Sequence, residues 1–360
     1  MLAARCDGHR WRLSEGGQAA GERGTTPMTM GPVTSKSDEQ VPTVEEATAT
    51  PAGVPAKAIE GRSLSQIAWT RLKRDKVALV GAGFIVFLVL VAVFAPLINK
   101  VWGHPVNEFH QDKIDPLLGG IPPVGTWGGV SSDFLLGVQP VTGRDLFSQI
   151  IYGAQVSLLV ALSATIVAVT LGVVLGIVSG YFGGAIDSAI SRLMDLILAF
   201  PYLLFSIALI SVVPASTGWR VGVVIAVIAF FSWPYIGRIV RGQTLSLRER
   251  EFVEAARSIG AGPGRILFRE LLPNLVAPIL VYATLIIPTN ILFEAALSFL
   301  GVGVLPPTPS WGRLLSDAVQ YYEYDPMYMF VPGFAIFLMV LAFNLFGDGL
   351  RDALDPKANR

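Results

Sequence analysis

Charge and cysteine are both scarce in this 360-residue chain. Charged residues make up 15% of the sequence, whereas soluble globular domains carry about 25%. Positive and negative charges balance to a formal net charge of +0, so bulk charge indicates no nucleic-acid partner. The one cysteine, Cys6, excludes a disulfide within the chain.

Sequence motifs for catalysis and nucleotide binding are missing as well. A GxxxxGK[ST] phosphate loop is excluded because no lysine follows a glycine, and neither GxSxG nor HExxH occurs. Cysteine is absent near the three histidines, His9, His104 and His110, which argues against a zinc site. We therefore expect no catalytic residue, no metal site and no cofactor bound by this chain.

Long apolar runs are what the chain has instead, and hydrophobic residues make up 52% of it. A helix needs about 20 apolar residues to cross a bilayer. Six stretches qualify, at about Val77–Ile98, Gln155–Ser179, Arg192–Val213, Val221–Gly237, Leu275–Ala296 and Tyr328–Phe346. The pattern predicts an all-α membrane protein with six transmembrane helices.

The placement of lysine and arginine predicts the orientation of these helices. Basic residues precede the first span, crowd the loop between the fourth and fifth spans, and follow the last span. Short positively charged segments remain in the cytoplasm. We therefore expect a multi-pass protein of the cell (inner) membrane with both termini in the cytoplasm.

Composition divides the chain into five segments. Residues 1–62 are rich in small and polar residues, which predicts a disordered cytoplasmic tail, either regulatory or dispensable. Met28 or Met30 is an alternative translation start. The other predicted segments are the one with the first span (63–98), an extracytoplasmic segment (99–154), the core transmembrane domain (155–346), which contains an arginine-rich loop (about 238–274), and a cytoplasmic C-terminal tail (347–360).

Small residues recur every fourth position in the second span, and this spacing places them on one helix face. They are Ala164, Ala168, Gly172, Gly176 and Gly180. Small residues let another helix approach closely, so the stripe predicts helix packing. Five prolines at or within spans predict kinks, typical either of a changeable pathway or of membrane helices in general.

Ionisable residues within spans need a partner or a purpose because burying charge in a membrane is costly. Arg192 and Asp195 are three residues apart, which predicts an ion pair on one helix face. Asn290, Glu294 and Ser298 form a polar stripe on the fifth span. This polar stripe predicts either a solute path, a contact with another subunit, or a structural hydrogen bond.

The arginine-rich loop contains seven arginines between positions 238 and 269 and cannot enter hydrocarbon. Ser246 and Glu249 have the spacing of a capping box that would start a helix. That helix would carry an apolar face of Phe252, Val253, Ala256 and Ile259. Gly260 would end it, and a second short helix from Arg265 to Leu272 would follow. The pattern predicts a docking helix under the membrane, or a helix lying on lipid headgroups.

Motifs in this loop resemble those of a known family. Glu254-Ala255-Ala256, Gly260 and Leu272-Pro273 resemble the EAA loop of ABC importer permeases, with Glu270 where isoleucine is usual. Further segments resemble the C-type subunit of the dipeptide/oligopeptide/nickel permeases over about residues 63–357. These segments are Leu135-Leu136-Gly137, Gly143–Ser148, Glu294–Gly301, Pro307–Gly312 and Asn344–Pro356. Val138-Gln139 stands where that family usually has Thr-Asp.

The resemblance implies the fold of a type I ABC importer permease (MetI-like) with a cytoplasmic coupling helix. The residues that it assigns to ATPase coupling are Glu254, Ala255, Ala256, Arg257, Ser258, Gly260, Ala261 and Pro273. It implies that the chain performs no chemistry and that ATP and magnesium bind to partner subunits.

The implied partners are a second, homologous permease forming a heterodimer, two cytoplasmic ABC ATPases, an extracytoplasmic substrate-binding protein and the lipid bilayer. Di- and oligopeptides are the implied cargo, with nickel complexes or other small solutes as the alternative. Two other classes stay open on the residues alone, an ion-coupled secondary transporter and an intramembrane enzyme.

Overall fold

The computed structural model describes residues 64–123, 127–214 and 219–354, and the predicted tail over residues 1–62 lies outside them. Regular structure in the described residues is helical, apart from two isolated β-bridges. The α-helices there are α1 (Leu64–Leu72), α2 (Lys76–Val93), α3 (Ala95–Trp102), α4 (Leu146–Phe182), α5 (Gly184–Ala199), α6 (Tyr202–Ser211), α7 (Arg220–Leu247), α8 (Glu251–Ser258), α9 (Pro263–Arg265), α10 (Leu272–Phe299), α11 (Trp311–Ala318) and α12 (Pro326–Leu354). A π-helical segment, Ile266–Leu271, joins α9 to α10.

Five helical segments in the described residues are long and apolar enough to cross a membrane. They are α2, α4, α7, the run Pro263–Phe299 that includes α10, and α12. The pair α5 and α6 passes the same test together, but it is bent by 84°. Counted as one broken span, this pair completes the six spans that the sequence predicts.

The prediction of the third span as one continuous helix, Arg192–Val213, is wrong. The helix begins earlier, at Gly184, and ends at Ala199, and Phe200 has an extended backbone with ψ 138°. A residue that precedes proline disfavours the helical conformation, so Pro201 separates α5 from α6. The other prolines of the predicted spans lie inside helices that continue past them, at Pro234, Pro278, Pro288 and Pro332.

Several other helices extend beyond their predicted spans, α4 and α12 among them. α4 begins at Leu146, within the segment predicted to be extracytoplasmic. Asp145 precedes it, and its carboxylate accepts hydrogen bonds from the Phe147 N–H at 3.0 Å and the Ser148 hydroxyl at 2.6 Å. This capping carboxylate explains the early start of α4 because it satisfies free N–H groups at the first turn. α12 continues to Leu354, within the predicted C-terminal tail.

α4 and α7 pack along the stripe of small residues, all of which are buried. A Cβ added at Gly172 would lie 2.8 Å from the Trp233 carbonyl oxygen. One added at Gly176 would lie 2.7 Å from the Gly237 carbonyl oxygen, and one added at Gly180 would also meet α7. Any side chain at these positions would push the two helices apart, so glycine sets their separation.

Arg220 ties three helix ends together at the end of the molecule opposite the arginine-rich loop. Its side chain is buried and donates hydrogen bonds to the carbonyl oxygens of Val213 at 2.7 Å and Val302 at 2.9 Å. A third bond reaches the Gly303 carbonyl oxygen at 3.2 Å. Carbonyl groups that follow a helix have no partner within it. Arg220 therefore fixes the chain after α6 and after α10 against the start of α7.

The segment before α4 folds into a tight turn at the same end. Gln139 is buried, its N–H donates to the Arg144 carbonyl oxygen at 2.8 Å, and its carbonyl oxygen accepts from the Gly143 N–H at 2.8 Å. Gly143 has φ +65°, a conformation that favours glycine. Val138 is also buried. The two residues that depart from the family pattern therefore stabilise the turn from inside.

Candidate functional site: the arginine-rich loop

The structure changes where the first helix of the arginine-rich loop begins. α7 continues through Ser246 to Leu247, so the predicted capping box at Ser246 is wrong. Thr244, two residues earlier, is fully buried and its hydroxyl donates to the Val240 carbonyl oxygen at 2.7 Å. Packing of this turn against α4 keeps α7 helical beyond the apolar span. The next helix, α8, begins only at Glu251 after Arg250 in an extended conformation.

The apolar face predicted for α8 divides into a buried pair and an exposed pair. Val253 and Ala256 are buried, with 0% and 7% of their surface exposed. They pack on a cluster formed by α4, α7, the π-helical segment and the start of α10, namely Ile177, Ile236, Val240, Ile266, Leu267, Leu271 and Leu275. Phe252 and Ile259 are 37% and 77% exposed. The prediction of one apolar face is therefore wrong, because two of its four residues point away from the protein.

Gly260 ends α8 in the left-handed conformation, with φ +78°. Its N–H donates to the Arg257 carbonyl oxygen at 2.9 Å, and the Ala261 N–H donates to the Ala256 carbonyl oxygen at 3.0 Å. These two bonds form a Schellman motif, which satisfies carbonyl groups that a helix end would leave free. The turn is therefore set by the glycine itself, as the sequence predicts.

The second half of the arginine-rich loop differs from prediction. A separate short helix ending before Pro273 is wrong, because α9, the π-helical segment and α10 follow one another without interruption. The N–H of Leu272 donates to the Leu267 carbonyl oxygen, five residues back. Proline is tolerated in a first helical turn, and the wider π turn precedes it here. The loop therefore passes directly into a transmembrane helix.

Most residues that the resemblance assigns to ATPase coupling are exposed. The exposed ones are Glu254, Ala255, Arg257, Ser258, Gly260 and Pro273. Ala261 is half-buried, and Ala256 is buried against the cluster beneath α8. Ala255 is therefore the alanine of the pair that a partner can reach, whereas Ala256 holds α8 in place.

An ion pair that the sequence analysis did not predict anchors the base of the arginine-rich loop. The Arg241 guanidinium donates two hydrogen bonds to the Asp187 carboxylate, at 2.5 and 2.7 Å. Asp187 also accepts from the Ser179 hydroxyl at 2.5 Å, and Arg248 donates to the Gly180 carbonyl oxygen at 3.0 Å. Two-pronged arginine–carboxylate contacts are strong and directional. They join the end of α4, the start of α5 and the end of α7.

A second ion pair corrects the predicted contact between Arg192 and Asp195. Asp195 on α5 pairs with Arg238 on α7 instead. Within α5, Arg192 lies on an exposed surface with Asp195. Sequence spacing identifies neighbours on one helix, but the fold places α5 beside α7, where Arg238 pairs with the same carboxylate.

The predicted polar stripe on α10 is buried completely, with Asn290, Glu294 and Ser298 each 0% exposed. The Glu294 carboxylate accepts hydrogen bonds from the Ser157 hydroxyl of α4 at 2.8 Å and from the Ser298 hydroxyl at 2.7 Å. Ser298 also accepts from the Val304 N–H at 3.0 Å. These contacts support the structural alternative, because the carboxyl group joins two helices inside the protein.

Asn290 likewise joins helices, about a turn before Glu294 on α10. Its amide nitrogen donates to the Thr165 hydroxyl of α4 at 2.9 Å. Its amide oxygen accepts from the Ser232 hydroxyl of α7 at 2.9 Å. The polar stripe therefore contacts α4 and α7 together, and hydrogen-bonded pairs of this kind are how buried polar groups are satisfied between membrane helices.

The described residues contain no group of three or more His, Cys, Asp or Glu side chains that is arranged to hold a metal ion. His104 and His110 lie together before α4, with ring centroids 4.9 Å apart, and both pack on Phe134. His9 lies outside the described residues. The two described histidines form an aromatic cluster in the turn before α4.

Two family patterns match the sequence. The family described as "Binding-protein-dependent transport system inner membrane component" matches residues 172–360. The family described as "N-terminal TM domain of oligopeptide transport permease C" matches residues 63–117. The first match includes the arginine-rich loop and the polar stripe, and the second includes α1, α2 and α3.

Individual proteins are similar over most of their length. A glutathione transport system permease protein, GsiD, of Salmonella typhimurium (strain LT2) is 46% identical over 289 residues, which are 80% of this chain and 89% of that protein. A dipeptide transport system permease protein, DppC, of Alkalihalophilus pseudofirmus is 42% identical over 290 residues, 81% of this chain and 89% of that protein. Among solved structures, an inward-facing MetNI methionine ABC transporter is 19% identical with a TM-score of 0.47, covering 57% of this chain and 96% of that one.

Proposed function

This chain belongs to the family of inner membrane components of binding-protein-dependent transport systems, and on that basis we propose that it imports peptides as one half of a permease pair. It is a non-catalytic, multi-pass permease subunit of an ABC importer, and separate ATPase subunits supply the energy. Peptide cargo is supported by relatives whose names specify glutathione and dipeptide transport.

The observation that carries the proposal is the exposed face of α8. Ala255 and Ile259 project from a short helix whose opposite side, Val253 and Ala256, is buried on the membrane helices. The Ile259 side chain is 77% exposed, which leaves it free to enter an apolar groove of a partner. We assign this exposed face to the groove of an ATPase subunit, with Glu254, Arg257 and Ser258 around its edge.

Movement of α8 has a direct route into the membrane. α7 enters the arginine-rich loop at Leu247, and the helix from Pro263 leaves it and crosses to Phe299. α4 packs on α7 along glycines that leave no gap for independent sliding. An ATPase that displaces α8 therefore tilts α4, α7 and α10 together, which would open the pathway alternately to each side.

The proposed orientation places the arginine-rich loop and both termini in the cytoplasm. Arg71, Lys73, Arg74 and Lys76 surround the start of α2, which lies on the same side as the loop in a six-span chain. The pathway would be completed by a second, homologous permease, with one ATPase under each permease. Gly81 and Gly349 bring α2 and α12 together, so α2 belongs to the same bundle rather than to a separate anchor.

The binding protein would dock at the opposite end, on the segments around α3 and α11. These segments adjoin the start of α4, because the Trp311 indole N–H donates to the Ile150 carbonyl oxygen at 2.9 Å. Large apolar side chains are exposed there, with Leu117 at 94% and Trp127 at 74%. Charged groups are present too, because the Arg313 guanidinium pairs with the Asp317 carboxylate at 2.6 Å and both side chains are partly exposed. A mixed apolar and charged surface of this kind suits a transient protein partner.

Uptake by the complete importer tests the proposal. The assembled complex is placed in vesicles with its binding protein, and ATP-dependent uptake of a radiolabelled dipeptide is measured. Ile259→Asp should reduce uptake by at least about tenfold, the size expected when an interface anchor is lost. Gln243→Glu is the matched control because it adds the same charge at an exposed position on α7 outside the docking face.

Two results would contradict the proposal in different ways. Wild-type uptake by Ile259→Asp would remove the coupling role of α8. Failure of the wild-type importer to take up any di- or tripeptide, while another solute enters with ATP, would remove peptide as the cargo.

A further inference from the structure

A cavity of about 470 Å³ opens beside the break between α5 and α6. Its walls come from the corner of these two helices, from α7 and from α10. Small-molecule sites in proteins usually measure about 300–1,000 Å³. Its aromatic lining consists of Phe200, Tyr202, Phe231, Tyr235, Tyr282 and Phe293. We call this space the corner cavity.

The break between α5 and α6 places polar backbone groups at the edge of the corner cavity. Phe200 is extended and Pro201 precedes α6, so backbone polar groups lie between two helices of the third span. Irregular backbone within a membrane occurs where it is buried in protein or lines a wet cavity, because hydrocarbon cannot satisfy it. The Phe200 N–H already donates to the Ile197 carbonyl oxygen at 3.4 Å, and the Pro201 carbonyl oxygen accepts from the Phe205 N–H at 3.0 Å. The distinction between a polar solute and lipid therefore depends on the side chains that line the cavity.

Hydroxyl groups supply the polar surface of the walls. The Tyr202 ring packs edge-on against Phe293, with centroids 3.8 Å apart, and tilts against Phe231 at 4.9 Å. The Tyr202 hydroxyl is buried and has no hydrogen-bond partner among the described residues. A buried polar group without a partner destabilises the protein. An occupant that hydrogen-bonds to Tyr202 would relieve that destabilisation, whereas an acyl chain would not.

Charged groups are missing from the described lining, which includes no Asp, Glu, Lys, Arg or His. Asp195 and Arg238, each within one turn of lining residues Ile197 and Ile239, are paired with one another. A free metal cation or a strongly anionic side chain would lose hydration in such a place without compensation. An apolar ring next to an uncharged amide group matches the walls.

The walls of the corner cavity are also the helices joined by the arginine-rich loop. Tyr235 lies on α7 about three turns before the end of that helix, and Tyr282 lies on α10 between two and three turns after Pro273. Displacement of α8 therefore moves both of these walls. A site whose walls move with the ATPase can hold and release a solute once per cycle.

We propose that the corner cavity binds an apolar, preferentially aromatic, side chain of the peptide cargo during its passage. The inference rests on the proposed function and adds a selectivity step in the membrane, beyond the choice made by the binding protein. The charged ends of the peptide remain in the open region of the pathway, and its backbone amide meets Tyr202.

Filling the corner cavity tests this inference. Thr289 lines the cavity on α10, and Thr289→Trp should lower uptake of Phe-Phe relative to Ala-Ala by about tenfold, as side-chain pockets discriminate by size. Leu292→Trp is the control, because Leu292 is half-exposed on the same helix and does not line the cavity. Both peptides are supplied at concentrations that saturate the binding protein, so the ratio reports the permease.

An unchanged Phe-Phe to Ala-Ala ratio in a Thr289→Trp importer that still takes up Ala-Ala overturns the inference, provided that wild type takes up both peptides. The proposed function fails separately, when wild type takes up neither peptide with ATP. If Thr289→Trp loses both activities equally, photolabelling of the unchanged protein decides the question.

Photolabelling of the wild-type importer needs no variant of this chain. A dipeptide that carries benzoylphenylalanine is delivered by the binding protein and irradiated during turnover. We expect the dipeptide to label proteolytic fragments of this chain that contain Tyr235 or Tyr282. Labelling of these residues by a phospholipid with a photoreactive acyl chain, with none by the dipeptide, identifies a lipid site and overturns the inference.

Discussion

The arginine-rich loop and the polar stripe of α10 are both polar interruptions of an apolar sequence, yet the structure places them oppositely. Most residues of α8 in the loop are exposed, including Glu254 and Ala255. The stripe is buried, and Glu294 contacts hydroxyl groups of α4 and α10. The arginine-rich loop ends within the helical run from Pro263 to Phe299, and the polar stripe lies within the same run.

The contrast shows that polarity alone does not identify a functional surface in a membrane protein. The buried polar residues of the stripe have partners that already satisfy them, so their role is to join helices. An exposed residue on a helix whose other side packs on the protein is available to a partner. The exposed face of α8 is therefore available to a partner, whereas the polar stripe joins helices.

The largest effect that separates the two regions is expected from Glu294→Ala. The change leaves the Ser157 and Ser298 hydroxyls without their acceptor and opens a void, which should destabilise the protein by about 3 kcal/mol. Thermal unfolding of the purified importer measures it. Glu294→Gln keeps the shape and one acceptor and should cost less.

A different outcome for Glu294→Ala would change the assignment of the polar stripe. Unchanged thermal stability together with lost uptake would mean that Glu294 contacts the solute. That result would return the polar stripe to the translocation path and remove its distinction from the exposed face of α8.

The second prediction compares neighbouring alanines inside the arginine-rich loop. Ala256→Glu buries a carboxylate against Val253 and the cluster below, and should destabilise the importer by about 2 kcal/mol. Ala255→Glu adds the same charge at an exposed position and should leave thermal unfolding unchanged while uptake falls. Equal thermal shifts for the two variants would contradict the division of α8 into a buried and an exposed side.

The third prediction concerns the turn after α8 and is the smallest in energy. Gly260→Ala forces a side chain into the left-handed region, at a cost of about 1 kcal/mol. Gly260→Pro should abolish uptake while membrane insertion persists, because proline cannot adopt φ +78° and loses the bond to Arg257. Membrane fractionation and vesicle uptake check the pair, and normal uptake by Gly260→Pro would refute the role of the turn.

The features that the sequence predicts correctly depend on local chemistry. Gly260 ends α8 because its conformational freedom is a property of the residue itself. The membrane spans follow from length and hydrophobicity, and the small residues at Gly172, Gly176 and Gly180 lie on one face because helix geometry puts them there. The family motifs pointed to the same loop, and the family assignment agrees with them.

The features that the sequence does not predict depend on contacts between segments that are distant in sequence. Ser246 has the spacing of a helix start, but packing of Thr244 on α4 keeps α7 intact past it. Asp195 has an arginine nearby in sequence, but the fold offers Arg238 instead, 43 positions away. Asp187 and Arg241 are 54 positions apart. Pattern reasoning on one helix cannot weigh such partners.

Pro201 is an intermediate case. Its presence in the third span was visible, and a proline is expected to kink a helix. The other span prolines lie in helices that continue, whereas Pro201 follows an extended residue and the helices on each side differ by 84°. The size of the bend depends on the packing of α5 against α7, which the sequence does not display.

Site-specific crosslinking asks directly whether the exposed face of α8 binds the ATPase. A photoreactive amino acid is placed at Ala255, at the buried Ala256 or at the exposed Gln243 of α7, and adducts of the assembled importer are identified with and without ATP. We expect an adduct with the ATPase subunit from position 255 whose yield changes with ATP, and little from positions 256 and 243. No ATPase adduct from position 255, or equal yields from 255 and 243, would contradict the assignment of α8 as the docking helix.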